Sequence, residues 1–233
     1  MSILNPSTFL DLVQRFAQEA QLAGSITTLL GAEGQTLDFA MWLNQAYLET
    51  CHLHEDWGFL LVSPGVAFAT VAGQQLYTPA QAGITDGEVS SWKIDTFRNY
   101  HTSTGYASEI EMTPIEYDDW VASERINVLR TTQVRPMVYA ITPHDEIALQ
   151  CPLAGYTIVA DHYRSAQPMD ADADVPLIPT RFNMVIVYKA LMEYGAEEHD
   201  APLFNRAEKL YGQMLGRLER KYLPRVGSMG ALA

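Results

Sequence analysis

Three clusters of polar side chains in this sequence have residue types that could do chemistry. The first, residues 52–56 (HLHED), holds two imidazoles and two carboxylates, which are ligands that zinc accepts. It falls at the end of a predicted helix, where residues i and i+2 do not share a face, so His52 and His54 would reach one ion poorly. We interpret the cluster as the solvated end of a helix.

The second cluster, residues 170–174 (DADAD), is similar to the beginning of a calcium-binding loop. Such a loop needs glycine at its sixth position and glutamate at its twelfth. This chain has Val175 and Arg181 there, so we predict no calcium site. Negative charge is favourable at the beginning of a helix, and we expect this acidic loop to lie before one.

The third cluster is the acidic stretch with Glu116, Asp118 and Asp119. Paired carboxylates can do acid–base chemistry, but no histidine or nucleophile stands at a local spacing that would complete a site. The sequence also contains no glycine-rich phosphate loop, no G-x-S-x-G and no H-E-x-x-H. We therefore expect no catalytic residue, no metal ligand and no cofactor, and a protein that is not an enzyme.

The elements around these clusters are helices at both ends and strands between them. A capping box at Thr8 and Asp11 begins a first helix, with Gly24 as its stop, and a second helix is predicted over residues 36–54. Alternation over residues 59–78 indicates strands, although Pro64 lacks the donor that a strand ladder needs. Further strands are predicted over residues 90–98, 137–141, 145–150 and 155–164.

Proline at residue 114 suits a first helical turn, so a short helix is predicted from Thr113 to about Ser123. Two more helices follow, one from near Thr180 and one from about Asp200 to Pro224. We predict an α+β fold: a helical bundle formed by the N- and C-terminal helices, with an inserted β-rich region. The expected parts are residues 1–58 and 176–225 for the bundle, 59–175 for the insertion and 226–233 for a flexible tail.

Length and composition agree with such a fold. The chain has 233 residues, which fits one domain with an insertion. It contains no run of about 18 apolar residues, and its N-terminus lacks the pattern of a secretory signal, so we expect neither a membrane span nor export. Cys51 and Cys151 are isolated from each other and from any metal motif, which favours a reducing compartment such as the cytoplasm.

The net charge of −13 is unevenly distributed. Residues 203–233 hold six Lys or Arg and two Glu, a balance of +4, so residues 1–202 carry −17. An acidic body argues against tight binding of nucleic acid, which needs phosphate neutralisation. A basic last helix on an acidic body indicates either an end built for a partner or simply a solvated basic face.

Short segments in a fixed order resemble the phage head-to-tail adaptor (connector) family of the SU10 type. They are residues 8–13 (TFLDLV), 42–47 (WLNQAY), 56–60 (DWGFL), 70–79 (TVAGQQLYTP), 95–98 (DTFR), 135–136 (RP), 163–164 (YR) and 176–182 (PLIPTRF), with the last two helices. Each segment alone is weak evidence for the family. Their order over nearly the whole chain carries the resemblance.

The resemblance implies a structural virion protein of the phage neck, assembled in the host cytoplasm. Such adaptors form a homo-oligomeric ring, generally a dodecamer, under the portal protein, extend the DNA channel and offer a docking surface to tail or nozzle proteins. Double-stranded DNA would pass an acidic lining without specific binding. The C-terminal region commonly engages the portal, so the portal-interface candidates are Arg217, Arg220, Lys221 and Arg225.

Three alternatives remain open. A tail terminator or completion protein is the nearest within the phage interpretation. A ligand-binding β module of non-viral function would use aromatic residues as a pocket lining: Trp92, Tyr100, Tyr106, Tyr117 and Trp120. An enzyme with a dispersed acidic site would use Asp118, Asp119 and either Asp145 or Glu146.

Overall fold

The computed structural model describes residues 7–22, 25–85, 87–125 and 131–224. These contain the helices α1 (Phe9–Glu19), α2 (Gln35–His52), α3 (Tyr117–Trp120), α4 (Met184–Glu197) and α5 (Ala201–Tyr222). The strands are β1 (Leu61–Ala69), β2 (Leu76–Tyr77), β3 (Val89–Trp92), β4 (Arg98–His101), β5 (Ile110–Glu111), β6 (Thr113–Pro114), β7 (Val138–Ile141), β8 (Ile147–Leu149) and β9 (Tyr156–Arg164). Helices at both ends with strands between them confirm the predicted α+β class.

The chain divides into two compact units. The helical unit takes its described residues from Met1–Leu60 and Ala166–Ala233, and the β unit is Leu61–Ser165. The predicted insertion of residues 59–175 therefore extends too far, because residues 166–175 lie with the helices. The cause is visible at Asn44 of α2, whose side-chain amide donates to the carbonyl oxygen of Met169 and accepts from its backbone N–H, both at 2.8 Å.

The first helix begins at the predicted capping box. The Thr8 hydroxyl accepts a hydrogen bond from the Asp11 amide, and the Asp11 carboxylate accepts one from the Thr8 amide. Together they satisfy two amides that the first turn of a helix leaves without partners. The predicted stop at Gly24 lies outside the described residues.

Helix α4 packs against α1, α2 and α5 and forms the centre of the helical unit. It is buried on most sides, as its nearly continuous apolar sequence predicts. Gly195 allows the closest approach, because a Cβ there would lie 3.0 Å from the backbone nitrogen of Phe204. None of the helices that the structure describes has the length and apolar content that crossing a membrane requires.

The β unit contains two sheets in its described residues. In the first, β9 pairs with β1 along one edge and with β3 and β4 along the other, and β5 continues beyond β4. The second has the order β2-β8-β7-β6, in which β6 and β7 run parallel. Phe97 and Tyr139 stack at 4.0 Å in the core of this unit.

One local prediction in the β unit is wrong, and the strand predicted around Pro64 is present. Pro114 does not open a helix: it lies in β6, and the helix begins three residues later at Tyr117 and passes into a π turn over Val121–Arg125. Strand β1 continues through Pro64, because its register against β9 shifts between Val62 and Val66. The residues at the shift then need no regular ladder bonds.

Candidate interaction surface on the last helix

Three of the four predicted portal-interface residues lie on the exposed surface at the end of α5. We call Arg217, Arg220 and Lys221 the C-terminal cations. None of them has an ion-pair partner among the described residues, whereas Arg206 of the same helix lies 2.8 Å from the Glu19 carboxylate. Arg225 lies outside the described residues. Cations in the last turns of a helix are favoured by its dipole, so part of their placement serves the helix itself.

Tyr222 holds this end of α5 in place. Its carbonyl oxygen accepts a 2.8 Å hydrogen bond from the Gly58 amide, and its hydroxyl accepts one of 3.0 Å from the Arg181 guanidinium. Its ring meets Phe59 and Phe182 edge-on, with centroids 5.5 and 5.9 Å away. The C-terminal cations therefore project from a fixed helix end.

No local pattern in the sequence indicates this anchor. Residues 56–60 and 176–182 stood out only as segments of a resemblance, since nothing local links them to each other or to Tyr222. The pair Arg181-Phe182 is the part of the sequence that indicates such contacts, because arginine beside an aromatic residue is typical of a cation–π contact. The Arg181 guanidinium does lie over the Tyr222 ring, at 5.8 Å.

The histidine cluster lies at the same end of the helical unit. His54 Nε2 is 3.4 Å from a Glu219 carboxylate oxygen of α5, and its ring packs edge-on against Trp57. His52 is exposed on the last turn of α2. Across the part of the chain that the structure describes, no group of three His, Cys, Asp or Glu side chains could hold a metal ion. The role of His54 here is to connect α2 and α5.

The acidic loop of residues 170–174 packs against the beginning of α1. The carbonyl oxygens of Asp172 and Asp174 accept hydrogen bonds from the amides of Leu10 and Phe9. The Asp172 carboxylate accepts from the Thr28 hydroxyl at 2.6 Å and from the Leu29 amide at 2.7 Å. The loop is thus a structural clamp on the first helix, which is distant in sequence.

The third carboxylate of this loop folds back on the loop itself. Asp174 accepts hydrogen bonds from the backbone amides of Ala171 and Asp170, and these bonds hold the pKa of its carboxyl below the ordinary value. Two of the three carboxylates are therefore occupied by local or long-range protein donors.

The aromatic residues of the β-module alternative do not converge on one pocket. Trp92 is buried in the core between the sheets, and its indole N–H donates to the Asp145 carbonyl oxygen at 2.8 Å. Trp120 is buried in a separate cluster against Tyr117. Tyr106 lines a cavity of about 330 Å³ on the β unit, and neither Trp92 nor Trp120 is among the residues that line it.

The carboxylates of the dispersed-site alternative lie on two different parts of the β unit. Asp118 and Asp119 are exposed on α3, and Asp145 forms the tip of the β7–β8 hairpin with a left-handed backbone, φ 60°. The two thiols are buried, and burial raises the pKa of Cys51 to about 12, far from the range of a reactive thiolate.

Comparison with known proteins agrees with the order of elements described above. The family model described as SU10 adaptor protein matches residues 7–230, which is nearly the whole chain. No curated protein matches the chain. The matched range includes both parts of the helical unit, the entire β unit and the C-terminal cations. The chain belongs to the SU10 adaptor protein family and is a phage adaptor, a structural component of the virion neck.

Proposed function

We propose that this adaptor works as a homo-oligomeric ring, a dodecamer, docked under the portal protein. In that position it extends the DNA channel and offers a docking surface to tail or nozzle proteins, and it carries out no catalysis. The chain is made and assembled in the host cytoplasm before it becomes part of the neck. The observation that carries this proposal is the family match over residues 7–230.

The portal contact is assigned to the C-terminal cations together with Arg225. Arg217, Arg220 and Lys221 are exposed and without ion pairs among the described residues, and the Tyr222 contacts fix the helix end that bears them. Because the helix end is already ordered, only the side chains lose conformational freedom when these cations meet an acidic surface, and this favours binding. An acidic patch on the portal is the partner that this surface requires.

The charge of the remaining chain supports a role in DNA passage. Residues 1–202 carry −17, so a ring of such chains presents strongly negative potential. Phosphates are repelled by that potential, and no counterions are released to favour binding. Double-stranded DNA would therefore slide through the ring without adhering to it.

Co-sedimentation of the purified full chain with its portal tests this function. We expect the triple variant Arg217→Glu, Arg220→Glu, Lys221→Glu to bind the portal at least about tenfold more weakly, with a smaller dependence on salt than the parent chain shows. The matched control is Lys93→Glu, Arg98→Glu, Arg164→Glu, which makes the same change of charge on the β unit and should bind normally.

Three outcomes would contradict the proposal. A correctly folded parent chain that never joins the portal is not acting as a portal-bound adaptor. Binding to the end of the tail without the portal would instead favour the tail terminator alternative. Equal weakening in both triple variants would show that net charge alone, and not the C-terminal cations, governs the contact.

A further inference from the structure

Gly212 and Gly216 lie one turn apart in α5, and nothing in the described structure explains them. No atom of the described residues comes within 4 Å of a Cβ built at either position. Glycine destabilises a helix interior relative to alanine, so two such residues need a reason. Gly195 has one, since it allows the backbone at Phe204 to approach. Close approach of a backbone from another molecule is the corresponding reason for Gly212 and Gly216.

The two glycines lie on a surface of α5 where Gly212 is exposed and Gly216 is half-buried. Lys209, Gln213 and Gly216 follow each other at spacings of four and three residues, so they lie along one line of the helix. Lys209 and Gln213 are exposed, and Lys209 has no ion pair among the described residues. We call Lys209, Gly212, Gln213 and Gly216 the glycine face. It is a shallow surface of helix backbone with a cation at its border, and Arg220 continues the line.

A second exposed surface has the opposite character. Leu37 and Met41, one turn apart at the beginning of α2, are 46% and 61% exposed, and Leu30 just before the helix is 90% exposed. Asp38 lies between Leu37 and Met41 in sequence and is exposed without an ion pair among the described residues, as is Glu33. We call Leu37, Asp38 and Met41 the α2 strip. Neighbouring exposed apolar side chains indicate an interaction site.

We propose that these two surfaces bind each other between adaptor copies, the α2 strip of one copy on the glycine face of the next. The shapes correspond, because long apolar side chains fit where a helix carries no side chains. The charges correspond as well, because Asp38 and Glu33 meet Lys209. The proposal rests on the ring of the proposed function and identifies the residues that build it.

Such a contact is heterologous, since each copy uses two different surfaces. Heterologous contacts generate rings when the rotation between copies closes, whereas a contact of one surface with itself stops at a dimer. The two surfaces belong to different helices of the helical unit, so one copy can use both at the same time.

Cysteine cross-linking of the full chain mixed with its portal tests the contact. Cys51 and Cys151 are buried, so introduced thiols dominate the reaction. Met41→Cys with Gln213→Cys in one chain should give a ladder of covalent multimers with a short bismaleimide. Each single variant should give no multimers, and an equal mixture of the two single variants should stop at the dimer. Absence of the ladder, or self-linking by a single variant, would overturn the proposal.

The role of the two glycines is tested by placing larger side chains at residues 212 and 216 of the chain that carries both cysteine substitutions. Gly212→Gln with Gly216→Gln should remove the ladder, whereas Gly212→Ala with Gly216→Ala should keep most of it. A Cβ at either position has no described atom within 4 Å, and alanine and glutamine both favour helix, so each pair should melt no lower than the parent. A ladder that survives the glutamine pair contradicts the proposal.

Portal binding is measured separately by co-sedimentation. Cross-linking between copies without portal binding would contradict the proposed function and leave the contact between copies supported. Portal binding without the ladder would contradict this contact and leave the proposed function standing.

Discussion

The backbone amide of Gly58 donates a 2.8 Å hydrogen bond to the carbonyl oxygen of Tyr222. This one bond ties the last turn of α5 to the segment that follows α2, and it leaves little room for a side chain at residue 58. A Cβ at residue 58 would lie 3.0 Å from the same carbonyl oxygen. The position of the C-terminal cations thus depends on a glycine far from them in sequence.

Replacement of Gly58 by valine should destabilise the chain by about 1–3 kcal/mol, because the added atoms have no room beside Tyr222. Urea unfolding of the variant and the parent measures the difference. Gly212→Ala is the matched control, and it should not destabilise, since its Cβ meets no described atom. Equal stability of Gly58→Val and the parent would show that the close approach is not needed.

Removal of the Thr8 hydroxyl should cost about 0.5–2 kcal/mol of unfolding free energy, because the amide of Asp11 loses its acceptor. Thr8→Ala is the variant and Thr8→Ser, which keeps the hydroxyl, is its control. Thermal and urea unfolding should both place the serine variant close to the parent. A serine variant as unstable as the alanine variant would assign the loss to the methyl group instead.

Asp11 should make stability depend on pH in the acid range. Burial would raise the pKa of Asp11, but hydrogen bonds from Ser7 and Thr8 outweigh it and hold the pKa below the ordinary value of 3.8. A carboxyl whose pKa is lowered by folding contributes stability above its unfolded pKa, and that contribution disappears as the pH falls through the folded pKa. The free energies of unfolding of the parent and of Asp11→Asn should differ most near neutral pH, and this difference should vanish in acid. A constant difference would contradict the assignment.

Asp172→Asn should cost about 1–3 kcal/mol, because the Thr28 hydroxyl and the Leu29 amide lose a charged acceptor. Asp170→Asn is the matched control in the same loop, because the Asp170 side chain is exposed and accepts no hydrogen bond among the described residues. Urea unfolding compares them. If both variants lose the same stability, the loop acts through its total charge and not through the Asp172 clamp.

The long helices could be predicted because their stripes and caps are local. Thr8 and Asp11 stand three residues apart, and Asp200 accepts a hydrogen bond from the Leu203 amide at the beginning of α5 as its position suggests. The short elements were harder. Pro114 has the local chemistry of a first helical turn, but parallel pairing of Pro114 with Tyr139 decides its structure, and that partner is distant in sequence.

The candidate surface was predictable only in part. The charge of the last helix indicated the C-terminal cations, and three of them are exposed as expected. The contacts that hold them in place join Tyr222 to Gly58 and Arg181, and no local spacing encodes such pairs. The acidic loop shows the same limit: its effect on a helix N-terminus was predicted, but the helix it meets is α1 and not the one that follows it.

Strands β1 and β9 are antiparallel partners with Leu61 opposite Tyr163, so the chain enters and leaves the β unit at adjacent points. Directly opposed residues of an antiparallel pair have Cα atoms only about 4.5–5.5 Å apart. A short peptide joining these two positions would therefore restore the continuity of the backbone if the β unit were excised. In evolution the same geometry would let the helical scaffold exchange this module for another while the packing of the helices stays unchanged.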